Sequence, residues 1–217
     1  MPTDIWFFAE SSRRSQAGRL TRKLALALLV AATLTTGVIA NDQEVRREYD
    51  YSREAGKEIL TATYDGGLLA WITTFRLYGD GRLQITLASP AGEKRVWAEH
   101  SVHLSEVEID HLLSPIVNSG VMELDYKKKS GELRKQGRLV PIAQDAPTFV
   151  LTLNLEHYFG PSQPTGGPAT HAVSVHALHM IPEYLGDVPD LLALAELEQS
   201  LTTYYHKAKA LDKEAAP

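Results

Sequence analysis

The chain has 217 residues, 44% of them hydrophobic, with no cysteine and a net charge of −5. That is enough apolar material for one core of ordinary size. The acidic balance argues against a general nucleic-acid binder, which needs a surplus of Lys and Arg on one face, and the missing thiols exclude disulfides, cysteine nucleophiles and thiolate metal sites.

Charge is unevenly placed at the start. Arg13, Arg14, Arg19, Arg22 and Lys23 stand against Asp4 and Glu10, and this basic stretch runs into LALALLVAATLTTGVIA, residues 24–40, which carry no charge. A basic region followed by an uncharged run reads as an export signal. Val38 and Ala40 occupy the small-residue positions of a cleavage site, with a polar mature chain starting at Asn41. The run is also just long enough to cross a hydrocarbon core of ~30 Å. A retained anchor, contacting the membrane through residues 24–40, is therefore the alternative to cleavage, and burial in the core is a third reading. The expected organisation is a signal peptide or anchor over 1–40, a charged linker over 41–57, one domain over 58–210 and a tail over 211–217. The expected location is periplasmic or extracellular.

Residues 58 onward show β-type runs, EILTATY, LLAWITTFRLY and RLQITLA, separated by Asp65-Gly66-Gly67 and Gly79-Asp80-Gly81. Register decides what Asp80 is. A two-residue turn would pair Leu77 with Gln84 and mix core and surface on both faces. A three-residue loop pairs Leu77 with Leu83, Phe75 with Ile85 and Thr73 with Leu87, leaving Arg76, Gln84 and Thr86 together on the other side. The second arrangement puts Gly81 at the left-handed position and makes Asp80 a turn residue, with no partner carboxylate to make it catalytic.

RVWAEHSV continues the strand pattern. In LSEVEIDHLLSPIVNSG, Ser105 is the expected N-cap, Glu108 the acid of a capping box, and Leu104 with Ile109 the hydrophobic staple. Ile109, Leu112, Leu113, Ile116 and Val117 form a helical stripe closed by Gly120, with a kink or early end expected at Pro115. The basic segment YKKKSGELRKQGR, residues 126–138, reads as a solvated connection able to contact an anionic surface. TFVLTLNL and HAVSVHAL are further strands, joined by HYFGPSQPTGGPAT, whose prolines and glycines argue for a long exposed hairpin connection or a flap. A last helix is expected over about 189–209, with Asp187 as N-cap and Leu194, Leu197, Leu201, Tyr204 or Tyr205 and Ala208 facing the sheet.

The histidines give no metal site within one strand. Residues three apart, His100 and His103 or His176 and His179, point to opposite faces, and His171 lies about 26 Å from His179 along an extended chain. His206 is expected to complement the C-terminal end of its helix. There is no GxSxG elbow, HExxH pair, P-loop or dinucleotide glycine pattern. No catalytic, cofactor-binding or metal residue is assigned.

Taken together, YDGGLLAW, FRLYGDGRLQI, LSEVEIDHLL and SGVMELD resemble emfourin-like bacterial domains over residues 58–125. That resemblance implies a compact α+β unit with a glycine-rich strand, a hairpin and one helix, and binding to a thermolysin-type metalloprotease as inhibitor. For the chain as a whole the expected class is α+β: a mostly antiparallel sheet of about six strands with two helices packed on one face, preceded by an N-terminal signal or anchor helix. The expected function is non-catalytic binding of a protein or cell-envelope component through loops such as 160–170 or the basic segment. An extracytoplasmic hydrolase or metal-dependent enzyme with a site assembled from distant residues, and a structural envelope protein anchored by residues 24–40, remain as alternatives.

Overall fold

A computed structural model describes residues 46–66, 72–89, 96–143 and 145–215. The expected signal, its cleavage site and the apolar run 24–40 lie outside these residues.

The described chain is α+β. Six antiparallel strands form one sheet in the order β5-β4-β3-β2-β6-β8. They are β2 (Glu58–Asp65), β3 (Ile72–Tyr78), β4 (Arg82–Ala88), β5 (Val96–His103), β6 (Thr148–Leu155) and β8 (Ala169–His176). The first four pair in succession as an antiparallel meander, and β6 returns beside β2 after the helical insertion. Each of the six runs read as strands from alternation contributes one strand to this sheet. Four α-helices accompany it: α1 (Glu106–Ser119), α2 (Tyr126–Lys135), α3 (Ile181–Leu185) and α4 (Pro189–Ala215).

Alternation places the core. Leu60, Ala62, Phe75, Leu77, Leu83, Ile85, Phe149, Leu151 and Leu153 are buried on one face, together with Ile109, Leu113, Ile116, Leu194, Leu197 and Leu201 from the helices. Side chains of the opposite parity are half-buried or exposed, except Ile59, which is buried at the register shift between Glu58 and Leu60. One row across that open face runs Ala172, Thr152, Thr61, Arg76, Gln84, Ser101. An antiparallel sheet with one apolar and one polar side reads this way in sequence.

The β3–β4 hairpin has the expected three-residue loop, pairing Leu77 with Leu83, Phe75 with Ile85 and Thr73 with Leu87. Gly81 has φ +88°, and the Asp80 carboxylate accepts the Arg82 N–H at 3.0 Å. The capping box at Ser105 and Glu108 is complete, and Gly120 ends α1 in the left-handed conformation.

Several expectations are corrected. Pro115 does not end α1, which runs on to Ser119. Pro115 and His111 are both exposed, so the bond the proline removes lies on the solvent side, where the freed carbonyl is open to solvent. The basic segment is mostly helical: Asp125 caps the N-terminus of α2, accepting from the Lys128 N–H, while Ser130 and Leu133 are buried. Two helices are therefore too few. The segments read as linker and as irregular loop each contribute a short strand, β1 (Glu48–Asp50) and β7 (His157–Phe159), which pair as a two-stranded ribbon. Tyr51, next to β1, is 2% exposed, so this part of the N-terminal charged stretch is folded onto the body. Asp187 does not cap α4; its carboxylate pairs with Arg138. The helix continues to Ala215, taking in residues read as tail and leaving His206 well short of its end. His179 falls in a 3-10 turn (Leu178–Met180) after β8, rather than in the strand.

Candidate binding site

The 160–170 loop lies between two features. On one side is a cleft of about 840 Å³, lined by Ser52, Lys57, Glu58, Asn154, Glu156 and Thr170 among others. Its walls come from the start of β2, the end of β6, the start of β8 and the loop after β1. The backbone fixes these pieces to one another. Lys57 N–H donates to the Glu54 carbonyl at 3.1 Å, and the Glu156 N–H donates to the Asp50 carbonyl at 3.0 Å. The hairpin of Asp80 buttresses the same wall, because the Gly79 N–H donates to Lys57 O at 3.0 Å. Only glycine fits there: a Cβ would stand 2.7 Å from the Glu54 carbonyl oxygen.

The polar side chains of the cleft are linked in a chain along the open face. Thr170 Oγ1 donates to Asn154 Oδ1 at 3.0 Å, and Asn154 Nδ2 donates to the Glu58 carbonyl at 3.3 Å. The Glu58 carboxylate accepts from Thr61 Oγ1 at 2.7 Å and lies 3.6 Å from the Arg76 guanidinium. Lys57 and Glu156 form an exposed pair at 3.3 Å. Donors and acceptors of both kinds therefore face a concave, half-apolar space. Such a surface matches a ligand rich in hydroxyl or amide groups, which can exchange these weak surface bonds for its own.

On the other side of the loop, Arg47, Glu123, Tyr158 and Ser162 converge. Arg47 Nε donates to Glu123 Oε2 at 3.2 Å, and Arg47 Nη1 donates to the Asn118 carbonyl at 2.9 Å. The second bond places a cation at the C-terminal end of α1, the negative end of its dipole. Tyr158 donates to Glu123 Oε1, and Ser162 Oγ reaches the same oxygen at 3.4 Å. Burial, reinforced by Glu123, raises the Tyr158 phenol well above its ordinary range. His171 sits behind the group, its imidazole pKa lowered by burial, with Nε2 buried and unpaired. Three donors from the chain itself occupy most of the roughly four acceptor sites of the Glu123 carboxylate. The cluster is thus a clamp joining β1, the end of α1 and β7.

The loop between them is tightly laced. Gln163 N–H donates to Gly160 O at 3.0 Å, Gly166 N–H to Gln163 O at 3.1 Å, and Tyr158 N–H to Gly167 O at 2.8 Å. It is the hairpin connection of the two expected forms. Gly166 and Gly167 supply its positive φ values.

The other positions singled out from sequence are dispersed. Asp80 is a hairpin tip. His100 pairs with Asp212, His176 Nε2 contacts the Ala143 carbonyl at 2.7 Å, and His171 faces Glu123. Among the described residues no group of three or more His, Asp or Glu side chains is arranged to hold a metal ion. Sequence reasoning reached the loop but missed Arg47, Glu123 and Tyr158 at one side and Asn154 at the other. Asn154 carried a usable signal, since it stands on the polar parity of a strand next to that loop. In comparisons with known proteins, no family model matches the chain and no curated protein sequence matches it.

Proposed function

We propose that the protein is an exported, non-catalytic domain that binds a protein or cell-envelope component in the cleft beside the 160–170 loop. The observation that carries this reading is the cleft itself. Its polar groups are hydrogen-bonded or ion-paired and supplied by four separate segments, an arrangement suited to recognition. The uncharged run 24–40 behind a basic leader supports export.

The test is co-sedimentation of the purified full chain with envelope fractions, comparing wild type with Asn154→Ala/Thr170→Ala. Asn154 is half-buried and Thr170 exposed, so circular dichroism and thermal unfolding should first show the variant folded. Binding that falls several-fold in the variant supports the reading. Undiminished binding by the variant, or turnover of an envelope substrate by the wild type, overturns it.

A further inference from the structure

The basic segment acquires a definite shape as a helix. Residues 125–138 hold Lys127, Lys128, Lys129, Arg134, Lys135 and Arg138 against only Asp125 and Glu132, in a chain of net charge −5. Two of these cations are committed: Lys129 pairs with Asp190 at 3.0 Å and Arg138 with Asp187. Lys127, Lys128, Arg134 and Lys135 are exposed and make no ion pair among the described residues.

Their spacing puts them on one side. Residues seven apart nearly eclipse along a helix with ~3.6 residues per turn, so Lys127 aligns with Arg134 and Lys128 with Lys135. The two rows flank Gly131, where a Cβ would meet nothing within 4 Å. Buried Ser130 and Leu133 mark the opposite side, and Glu132 falls at the margin of the basic face.

The chain leaving this helix presents apolar groups outward. The Gly137 N–H donates to Arg134 O at 3.0 Å and the Arg138 N–H donates to Leu133 O at 3.0 Å, closing α2 with a left-handed glycine at φ +75°. Leu139 is then 72% exposed and Ile142 73% exposed, while Val140 between them is buried. The loop is held at both ends, by the Arg138–Asp187 pair and by His176 on the Ala143 carbonyl. Single exposed aliphatics are ordinary. Here two of them straddle a buried anchor, directly after a face of unpaired cations.

The geometry points to the basic face of α2 and the Leu139/Ile142 pair as a docking surface for an anionic lipid bilayer. Stable attachment to a membrane surface takes two signals, apolar insertion and cations near acidic headgroups, and both stand together here. Charge complementarity names the occupant, because among the described residues these four cations have no acidic partner. This inference extends the envelope-binding reading but uses a different surface from the cleft.

The experiment is vesicle flotation with the full chain, using phosphatidylcholine vesicles with and without phosphatidylglycerol. Insertion of residues 24–40 would proceed in both and sets the background. Binding above that background should require phosphatidylglycerol and fall at high salt. Lys127→Ala/Lys128→Ala/Lys135→Ala should weaken it by about fivefold per cation removed. Leu139→Ser/Ile142→Ser should weaken it by about tenfold. Lys213→Ala, a cation in the last turn of α4, should leave it unchanged, and circular dichroism should show all variants folded. Equal phosphatidylglycerol-dependent binding by wild type and both α2-side variants overturns the assignment, as does its absence in the wild type, including the case where the patch serves an acidic protein. Synthetic vesicles contain no protein or glycan, so failure here leaves the cleft reading standing, and Asn154→Ala/Thr170→Ala should float like wild type.

Discussion

Arg47 and Glu123, 76 positions apart in the sequence, meet at 3.2 Å with both side chains about four-fifths buried. Glu123 also accepts the Tyr158 hydroxyl, so one carboxylate ties the N-terminal ribbon strand to the end of α1 and to β7. Removing one partner leaves the largely buried Glu123 carboxylate with fewer of its compensating donors. Arg47→Ala should therefore cost about 2–3 kcal/mol, and Tyr158→Phe about 1.5–3 kcal/mol, of unfolding free energy. Urea unfolding of the two single variants and the double variant checks this. The shared carboxylate predicts non-additive losses; additivity within about 0.5 kcal/mol would show that the three groups do not act together. Gly160→Ala should behave like Tyr158→Phe, because a Cβ there would overlap the Tyr158 hydroxyl.

The hairpin at Gly79-Asp80-Gly81 separates a structural glycine from a dispensable carboxylate. Gly81 has φ +88°, and a Cβ would press on the Leu104 carbonyl, whose own N–H bonds to Gly81 O at 2.8 Å. Gly81→Ala should destabilise by about 2–3 kcal/mol through left-handed strain and displacement of the β5–α1 junction. Asp80→Ala removes only an exposed turn bond to the Arg82 N–H and should cost about 0.5 kcal/mol. Thermal unfolding of the two variants measures the contrast. Equal losses would mean that Asp80 has a role beyond the turn.

These cases mark what local pattern could reveal. The Ser105–Glu108 box and the hairpin register depend on residues within about a dozen positions of each other, where spacing alone decides the geometry. The α2 helix escaped because only Ser130 and Leu133 carry its buried side, too few to register as periodicity among lysines. The β1–β7 ribbon escaped because three-residue strands have no readable alternation, and Tyr49 and Tyr158, which pair in it, are far apart in the sequence. Asn154 stands half-buried on the polar parity of its strand, and Thr170, read as the last residue of the irregular connection, is an exposed residue of β8. Their convergence on Glu58 follows from β2, β6 and β8 being neighbours in the sheet, an order that no single strand encodes.

A half-buried acid makes stability depend on pH in a direction opposite to the usual carboxylate. Glu198 lies on α4 where burial raises its pKa from the ordinary 4.5 to about 7. Tyr64 faces it, its hydroxyl buried without a hydrogen-bond partner and its ring packed on Phe149 at 5.0 Å. Because the folded state favours the protonated acid, this group's contribution is fully present below about pH 4.5 and is lost as the pH rises through about 7. Allowing for partial exposure and solvent screening, the loss is about 1–2 kcal/mol. Glu198→Gln keeps the shape and removes the titration, so it should gain that amount over wild type at about pH 8 and little at about pH 5. Urea unfolding of both proteins at the two pH values gives the comparison. A variant that tracks the wild type at both would mean that the Glu198 carboxylate is solvated as well in the fold as in the unfolded chain.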